Sequence, residues 1–260
     1  MLKITSKDNK GIKSVKKLFN EKKYRDLTNL FVAESHRVIS TLIANNIKMR
    51  NLFVSANSKH FKFAQDCENK GINVSILPLS IFNDLSNLNT SDGLIAVFNK
   101  PKNNFDLLQT GKYIILDRLQ NPGNLGSIIR TAVAFNIDGI IISNDSVDLY
   151  HPTIIRATMG TCFSLPIKFT TSLTDTINQL HKQKFKIYAT ALLSTAKQLN
   201  EITFNKQSIA VIFGNEGNGL KDNILKICDD VIHIPISKKI DSLNVAVSAG
   251  IIIYKLCKQS

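Results

Sequence analysis

The stretch Asp117-Arg-Leu-Gln-Asn-Pro-Gly-Asn-Leu-Gly-Ser-Ile-Ile-Arg-Thr131 follows an apolar run, Tyr113 to Leu116, that has the length and composition of a buried strand. Asn121, Pro122 and Gly123 break that strand and demand a turn. From Leu125 the spacing becomes helical, with Ile128, Ile129, Ala132, Val133 and Phe135 as candidate core positions. A strand that runs into a small-residue loop and then a helix leaves backbone N–H groups free to face a ligand. Arg130 sits on that helix, one turn past Gly126.

Strands and helices alternate on both sides of this stretch. Downstream, Gly139 to Ser143, Phe185 to Thr190, Ser208 to Phe213 and Val231 to Ile234 read as strands, and Phe163 to Ile167 as a further apolar run. Thr171 to Lys182 reads as a helix, another follows Leu220 to about Cys228, and Leu243 to Leu256 is a helix apolar over most of its circumference. Such a helix lies in a core or against another subunit. Upstream, strands are expected at Leu30 to Ala33, Asn51 to Ser55, Asn73 to Leu77 and Gly93 to Phe98. Helices are expected at 12–24, Ser35 to Ala44, His60 to Lys70 and Leu79 to Leu85. Short connections between such elements make a small α/β domain. Asn99-Lys-Pro-Lys-Asn-Asn is polar and contains proline, so it reads as a linker. The expected organisation is therefore 1–98, a linker at 99–106, and 107–260.

The chain has 260 residues, of which 43% are hydrophobic, enough for a substantial core and too apolar for a disordered chain. Its formal charge of +13 is unevenly spread. Residues 1–104 carry 17 Lys and Arg against 8 Asp and Glu, whereas 105–260 carry 16 against 12. A polyanion such as RNA is the natural partner of the first region. That region assembles no catalytic acids, bases or metal ligands; Glu34 and His36, near a strand end, read as structural, and the region reads as a binding module. Cys67, Cys162, Cys228 and Cys257 are widely separated and read as buried free thiols. The five histidines are scattered without ligand spacing, so no metal is expected. No apolar run approaches the length that crosses a bilayer, and the N-terminus lacks a signal-peptide core. No membrane association and a cytoplasmic location are expected.

Three loops each follow a strand directly: Asn121 to Ser127, Gly214 to Leu220, and Pro235 to Asn244. Ligands of α/β sheets gather at the carboxyl ends of strands. The first loop has neither Gly-x-Gly-x-x-Gly nor Gly-Lys-Ser/Thr, which excludes the common dinucleotide and P-loop patterns. Each loop alone fits an ordinary turn as well as a ligand site.

Together they are more specific. Asn-Pro-Gly-Asn-Leu-Gly-Ser-Ile-Ile-Arg-Thr-Ala within 117–132, Val-Ile-Phe-Gly-Asn-Glu-Gly-Asn-Gly-Leu at 211–220, and Ile-Pro-Ile with Ser-Leu-Asn-Val-Ala-Val within 234–247 resemble the three signature motifs of the SpoU (TrmH-like) branch of the SPOUT superfamily, RNA ribose 2′-O-methyltransferases. Residues 156–166 resemble that family's connecting segment. Phe31-Val-Ala-Glu34 and Ser91-Asp-Gly-Leu-Ile-Ala96 resemble, more weakly, its substrate-binding domain, itself similar to ribosomal proteins that bind kinked RNA.

The resemblance implies S-adenosylmethionine as methyl donor, an open, mostly parallel α/β sheet with a C-terminal trefoil knot, and a homodimer. It implies roles in catalysis for Asn124, Arg130, Glu216, Ser242 and Asn244. It also implies a cofactor cradle from the backbone around Phe213, Gly214, Gly217, Ile234, Ile236 and Leu243. Lys238 stands where the family usually has glycine and Ala246 where it has serine; neither position is assigned to chemistry. Ribosomal RNA is the expected substrate, with transfer RNA as the nearest alternative. A non-catalytic RNA-binding or ribosome-assembly protein on the same fold, and a base methyltransferase, are the competing readings.

Overall fold

The computed structural model describes residues 1–101, 110–205 and 207–258. Its elements in chain order begin with the short strand β1 (Leu2–Lys3) and the helices α1 (Lys10–Asn20) and α2 (Lys22–Thr28). There follow β2 (Leu30–Glu34), α3 (His36–Ala44), β3 (Met49–Ser55), α4 (Phe61–Asn69), β4 (Asn73–Leu77), α5 (Leu79–Leu85) and β5 (Leu94–Asn99). The next group is β6 (Gly111–Leu116), α6 (Pro122–Ala134), β7 (Gly139–Ser143), α7 (Pro152–Ala157) and β8 (Ile167–Thr170). The remainder is α8 (Leu173–Lys182), β9 (Lys186–Thr190), β10 (Lys197–Gln198), β11 (Ser208–Phe213), α9 (Asp222–Leu225), β12 (Asp230–His233) and α10 (Val245–Lys258).

The chain divides into two compact units. One is the N-terminal region together with Asp148–Thr161; the other is the remainder. The linear division expected from sequence has to be read beside this interleaving. Of the expected linker at 99–106, residues 102–106 lie outside the described residues.

The first unit is built on a mixed sheet in the order β1-β4-β3-β5-β2, antiparallel where β5 meets β3 and β2. Asn9 caps α1 by accepting from Gly11 N at 2.8 Å. The helical spacing of Ile12, Val15, Leu18 and Phe19 turns that face onto the core beside Val32, Phe53 and Val97, and leaves Lys10, Lys13 and Lys16 exposed. The single helix expected at 12–24 is two helices, because Glu21 is extended (φ −115°, ψ 107°). This break brings Arg25 back to the end of α1, where its Nη1 donates to Leu18 O at 2.8 Å and Phe19 O at 3.3 Å. The same side chain, 2% exposed, donates through Nε to Asp148 Oδ2 at 2.8 Å. Phe31 of β2 packs on Tyr150 at a ring separation of 5.5 Å. Residues 148–161 are thus tied to this unit by a buried ion pair and by apolar contact.

The second unit is a seven-stranded sheet in the order β10-β12-β9-β11-β6-β7-β8, with every strand pair parallel among the described residues. Parallel strands buried on both faces are near-continuous apolar runs, as Tyr-Ile-Ile-Leu and Ser-Ile-Ala-Val-Ile-Phe are here. The strand order reverses between β6 and β11, so the loops that leave their carboxyl ends flank a crevice. The last helix, α10, packs along α6, burying Ala249, Ile252, Ile253 and Leu256. Phe135, expected in the core, is 37% exposed and meets Tyr254 edge-on. The helix expected to extend to Cys228 is only the four residues of α9.

All four cysteines are free; Cys67 and Cys162 are buried, Cys228 and Cys257 half-buried. Burial, assisted by Asp229, pushes the Cys228 thiol up to about 12. Among the described residues no group of His, Cys, Asp and Glu suits a metal ion, and no helix is long and apolar enough to cross a membrane.

Candidate active site

A cleft of about 1180 Å³ opens at the carboxyl ends of β6, β9, β11 and β12. Three loops frame it, and each is shaped by its own residues. Asn121 ends the first by capping α6, accepting from Gly123 N at 2.7 Å and Asn124 N at 3.2 Å. In the second, Asn215 accepts from Gly217 N and Asn218 N, both at 3.0 Å, folding the Gly-rich segment back on itself. Gly214 is required there, because a Cβ would lie 2.5 Å from the Gly219 carbonyl carbon. Asn244 ends the third loop, accepting from Ala246 N at 2.9 Å at the start of α10.

The loops are joined by a chain of side-chain hydrogen bonds. Asn244 Nδ2 donates to Asn124 Oδ1 at 3.0 Å, and Asn124 Nδ2 donates to Glu216 Oε1 at 3.1 Å. Glu216 also accepts from Gln120 N and Asn121 N, each at 3.2 Å. Burial alone would raise the Glu216 carboxyl, but the hydrogen bonds from Asn124 and from backbone N–H groups outweigh it and hold it below its ordinary value. Residues 92 and 120 positions apart in the chain therefore meet in one line, Asn244–Asn124–Glu216.

Phe213, Gly214, Gly217, Ile234, Ile236 and Leu243 line the cleft, as do Asn124, Glu216, Ser242 and Asn244. Arg130 does not: it is exposed on α6, and its guanidinium has no protein partner among the described residues. Lys238 and Lys239 are exposed and also lie outside the lining.

Several residues at the site carry no sequence signal of their own. Arg118 adopts a left-handed conformation (φ 54°), and its Nη2 donates to Gly219 O at 2.9 Å while its own carbonyl accepts from Asn215 Nδ2 at 2.8 Å. It thereby clamps the Gly-rich loop to the end of β6. Leu192 and Leu193, after β9, line the cleft and are 58% and 43% exposed. Their signal, consecutive leucines just past an apolar strand, is weak.

The cleft suits an adenosyl group. It offers aliphatic walls from Leu192, Leu193, Leu220 and Ile236, a backbone cradle at Gly214 that a side chain would fill, and an orphaned polar atom, His233 Nδ1, buried without a hydrogen bond.

The profile of the SpoU rRNA Methylase family matches residues 111–254, more than half the chain. This chain belongs to the SpoU methylase family. A second profile, the MRM3-like substrate binding domain, matches residues 9–96 of this SpoU chain. The 23S rRNA (guanosine(2553)-2′-O)-methyltransferase RlmP of Bacillus subtilis is 30% identical over 256 residues, covering 98% of this chain and 99% of the relative. The 23S rRNA (guanosine-2′-O-)-methyltransferase RlmB of Blochmanniella floridana is 28% identical, covering 96% and 93%. Among solved structures, the AdoMet-bound rRNA methyltransferase from Sinorhizobium meliloti superposes with a TM-score of 0.87 at 26% identity, covering 98% of this chain and 97% of that one. The expected α/β architecture on a large parallel sheet is borne out by this likeness and by the sheet itself.

Proposed function

We infer that this SpoU chain is an S-adenosylmethionine-dependent RNA methyltransferase that modifies a ribose 2′-hydroxyl in ribosomal RNA. The observation that carries the reading is the Asn244–Asn124–Glu216 line, which joins the three motif loops at the rim of one cleft. Relatives that align over almost the whole chain carry 23S rRNA 2′-O-methylation in their names, which favours ribosomal over transfer RNA and a cytoplasmic location.

The backbone around Phe213, Gly214, Gly217, Ile234, Ile236 and Leu243 would hold the adenosyl moiety. When bound, S-adenosylmethionine supplies an electrophilic methyl group. The protein's own task is to align a ribose oxygen with that methyl and to dispose of the hydroxyl proton as the oxygen–carbon bond forms and the sulfur–carbon bond breaks. Asn124, bonded to both Glu216 and Asn244, presents its amide at the rim, and Ser242 lines the same cleft. Arg130 is a poor base, since its guanidinium stays protonated. Its role in this reading is to clamp the adjacent RNA phosphate and stabilise the developing alkoxide, the proton leaving through that phosphate or water.

The exposure of Arg130 supports a site completed by a second copy. Val247, Ile251 and Tyr254, at i, i+4 and i+7 on α10, are 51%, 40% and 44% exposed, and α10 packs along α6, the helix that carries Arg130. A homodimer through this stripe covers apolar surface and offers Arg130 to the partner's cleft. Threading of the C-terminal segment as a trefoil knot belongs to the same reading.

The test is methyl transfer from labelled S-adenosylmethionine to fractionated total RNA, with the modified atom mapped by mass spectrometry. Label on a ribosomal RNA ribose is the expected result. Label on a base, label confined to transfer RNA, or cofactor binding without transfer would each overturn a stated part of the assignment.

A further inference from the structure

A second cavity, of about 350 Å³, lies within the first unit, among the end of α1, β2, α3 and the segment that carries α7. Its lining is mixed: Asn20, Glu34, Asn87, His151 and Arg156 reach it over an apolar floor of buried Val32 and Val38. Two opposite charges, Glu34 and Arg156, face it without pairing, since no contact of ion-pair length joins them and the Arg156 guanidinium has no protein partner among the described residues.

The carboxylate is only partly satisfied. Glu34 Oε1 accepts from Ser86 Oγ at 2.6 Å, and the Asn87 N–H is shared between Oε1 at 3.3 Å and Oε2 at 3.2 Å. A carboxylate has about four acceptor positions, so roughly half remain for a ligand. Burial pushes the Glu34 carboxyl above its ordinary value despite these bonds and the charge of Arg156, so added donors would relieve it. His151, also in the lining, accepts from Thr153 N through Nδ1 at 3.2 Å. Because Nδ1 is taken up as an acceptor, Nε2 is the nitrogen left to donate; burial, then the charge of Arg25, holds this imidazole below its ordinary value.

A purely anionic ligand would meet Glu34 and a purely cationic one would meet Arg156. A nucleotide satisfies both: its phosphate suits the exposed guanidinium at the mouth, and the donor edge of its base suits the carboxylate. Guanine alone of the four bases offers two adjacent donors, N1–H and N2–H, at the spacing of two carboxylate oxygens. Adenine and cytosine would turn a ring lone pair toward Glu34, and uracil its carbonyls. The volume is at the low end for a small-molecule site, roughly 300–1,000 Å³, and suits one unstacked nucleotide. We propose that Glu34, His151 and Arg156 form a pocket in the first unit that takes one unstacked guanine nucleotide of the RNA substrate. The inference rests on the reading that the first unit holds the RNA, and it makes that unit a reader of base identity as well as phosphate.

The test uses the full-length protein with methyl-labelled valine and isoleucine, titrated by NMR with GMP, IMP, AMP and CMP. GMP is expected to shift Val32, Val38 and Ile155. IMP, which lacks the N2 amine, is expected to bind about fivefold more weakly, and AMP and CMP at least about tenfold more weakly. Glu34→Gln should remove the preference for GMP over IMP, and Arg156→Ala should weaken GMP about tenfold while leaving guanosine unchanged. An RNA hexamer with one guanine should outcompete GMP; tighter binding of free GMP than of the hexamer would assign the pocket to a free nucleotide and overturn the RNA form. Equal binding of all four nucleotides, or shifts confined to the cleft of the second unit, overturns the proposal itself. S-adenosylmethionine binding, measured on the same variants by calorimetry, should not change. Loss of methyl transfer by the wild type with GMP binding intact would instead fault the proposed function.

Discussion

The two units place their polar groups in opposite ways. In the first, Arg25 and Asp148 form an ion pair with side chains 2% and 8% exposed, supported by two helix-end carbonyls. In the second, half-buried Asn124 in the first turn of α6 and exposed Glu216 and Asn244 form a line of hydrogen bonds at the cleft rim. A buried pair resists change because breaking it strands a charge in the interior. Exposed hydrogen bonds exchange easily with water and add little net stability, so they can be rearranged when a ligand arrives. Groups that hold the fold and groups that serve the reaction should therefore fail in different assays.

The largest effect is expected at the buried pair. Arg25→Ala should lower unfolding stability by about 3–5 kcal/mol in chemical denaturation, whereas Arg25→Met with Asp148→Leu should recover much of that loss. A double variant no better than the single one would mean that the hydrogen bonds from Arg25 to Leu18 and Phe19, not the charge, dominate. Next comes Arg130, where Arg130→Ala should reduce single-turnover methyl transfer by about 10²–10³-fold with no change in stability beyond ~0.5 kcal/mol. Arg130→Lys with unimpaired chemistry would refute the need for a bidentate clamp. Asn124→Ala should cost about tenfold to a hundredfold in transfer and, again, little stability, because it unlinks three loops without opening a core. A stability loss as large as that of Arg25→Ala would erase the contrast between the units.

The smallest effect is a pH dependence. The Glu216 carboxyl is held below its ordinary value, so its contribution is fully present above 4.5, the ordinary value, and is lost as the pH falls through the lowered one. S-adenosylmethionine affinity followed by calorimetry should therefore fall in acid below that point, and Glu216→Gln should flatten the fall. An identical profile in the variant would show that Glu216 does not order the loops.

Much of this was legible in the sequence, for reasons that can be named. The buried runs Tyr113 to Leu116 and Ser208 to Phe213 are strands because a parallel sheet covers both faces of its members. Asn121-Pro122-Gly123, expected as a turn with the helix from Leu125, is instead the cap and first turn of α6, since an asparagine cap followed by proline suits a helix start. The two-residue strands β1 and β10 were not legible, being too short to show any period. The break at Glu21 was hidden as well, since glutamate favours helix and the cause lies in where Arg25 finds its partners. The exposure of Arg130 was in principle foreseeable. It lies six residues beyond Asn124, and at 3.6 residues per turn the two cannot share a face of α6. Arg118 and Asn215 clamp one loop to another, and nothing local distinguishes them from other loop residues.

The segment Asp148–Thr161 has a practical implication for anyone who would cut this protein in two. It is inserted between β7 and β8, yet its ring, ion-pair and helix contacts belong to the first unit. A fragment beginning near residue 105 would keep Tyr150, Ile154 and Ile155 while discarding β2, against which they pack, and would keep Asp148 without its arginine. Such a fragment is a wounded protein rather than a minimal enzyme, and recombination that swapped only the N-terminal region would inherit a mismatched surface.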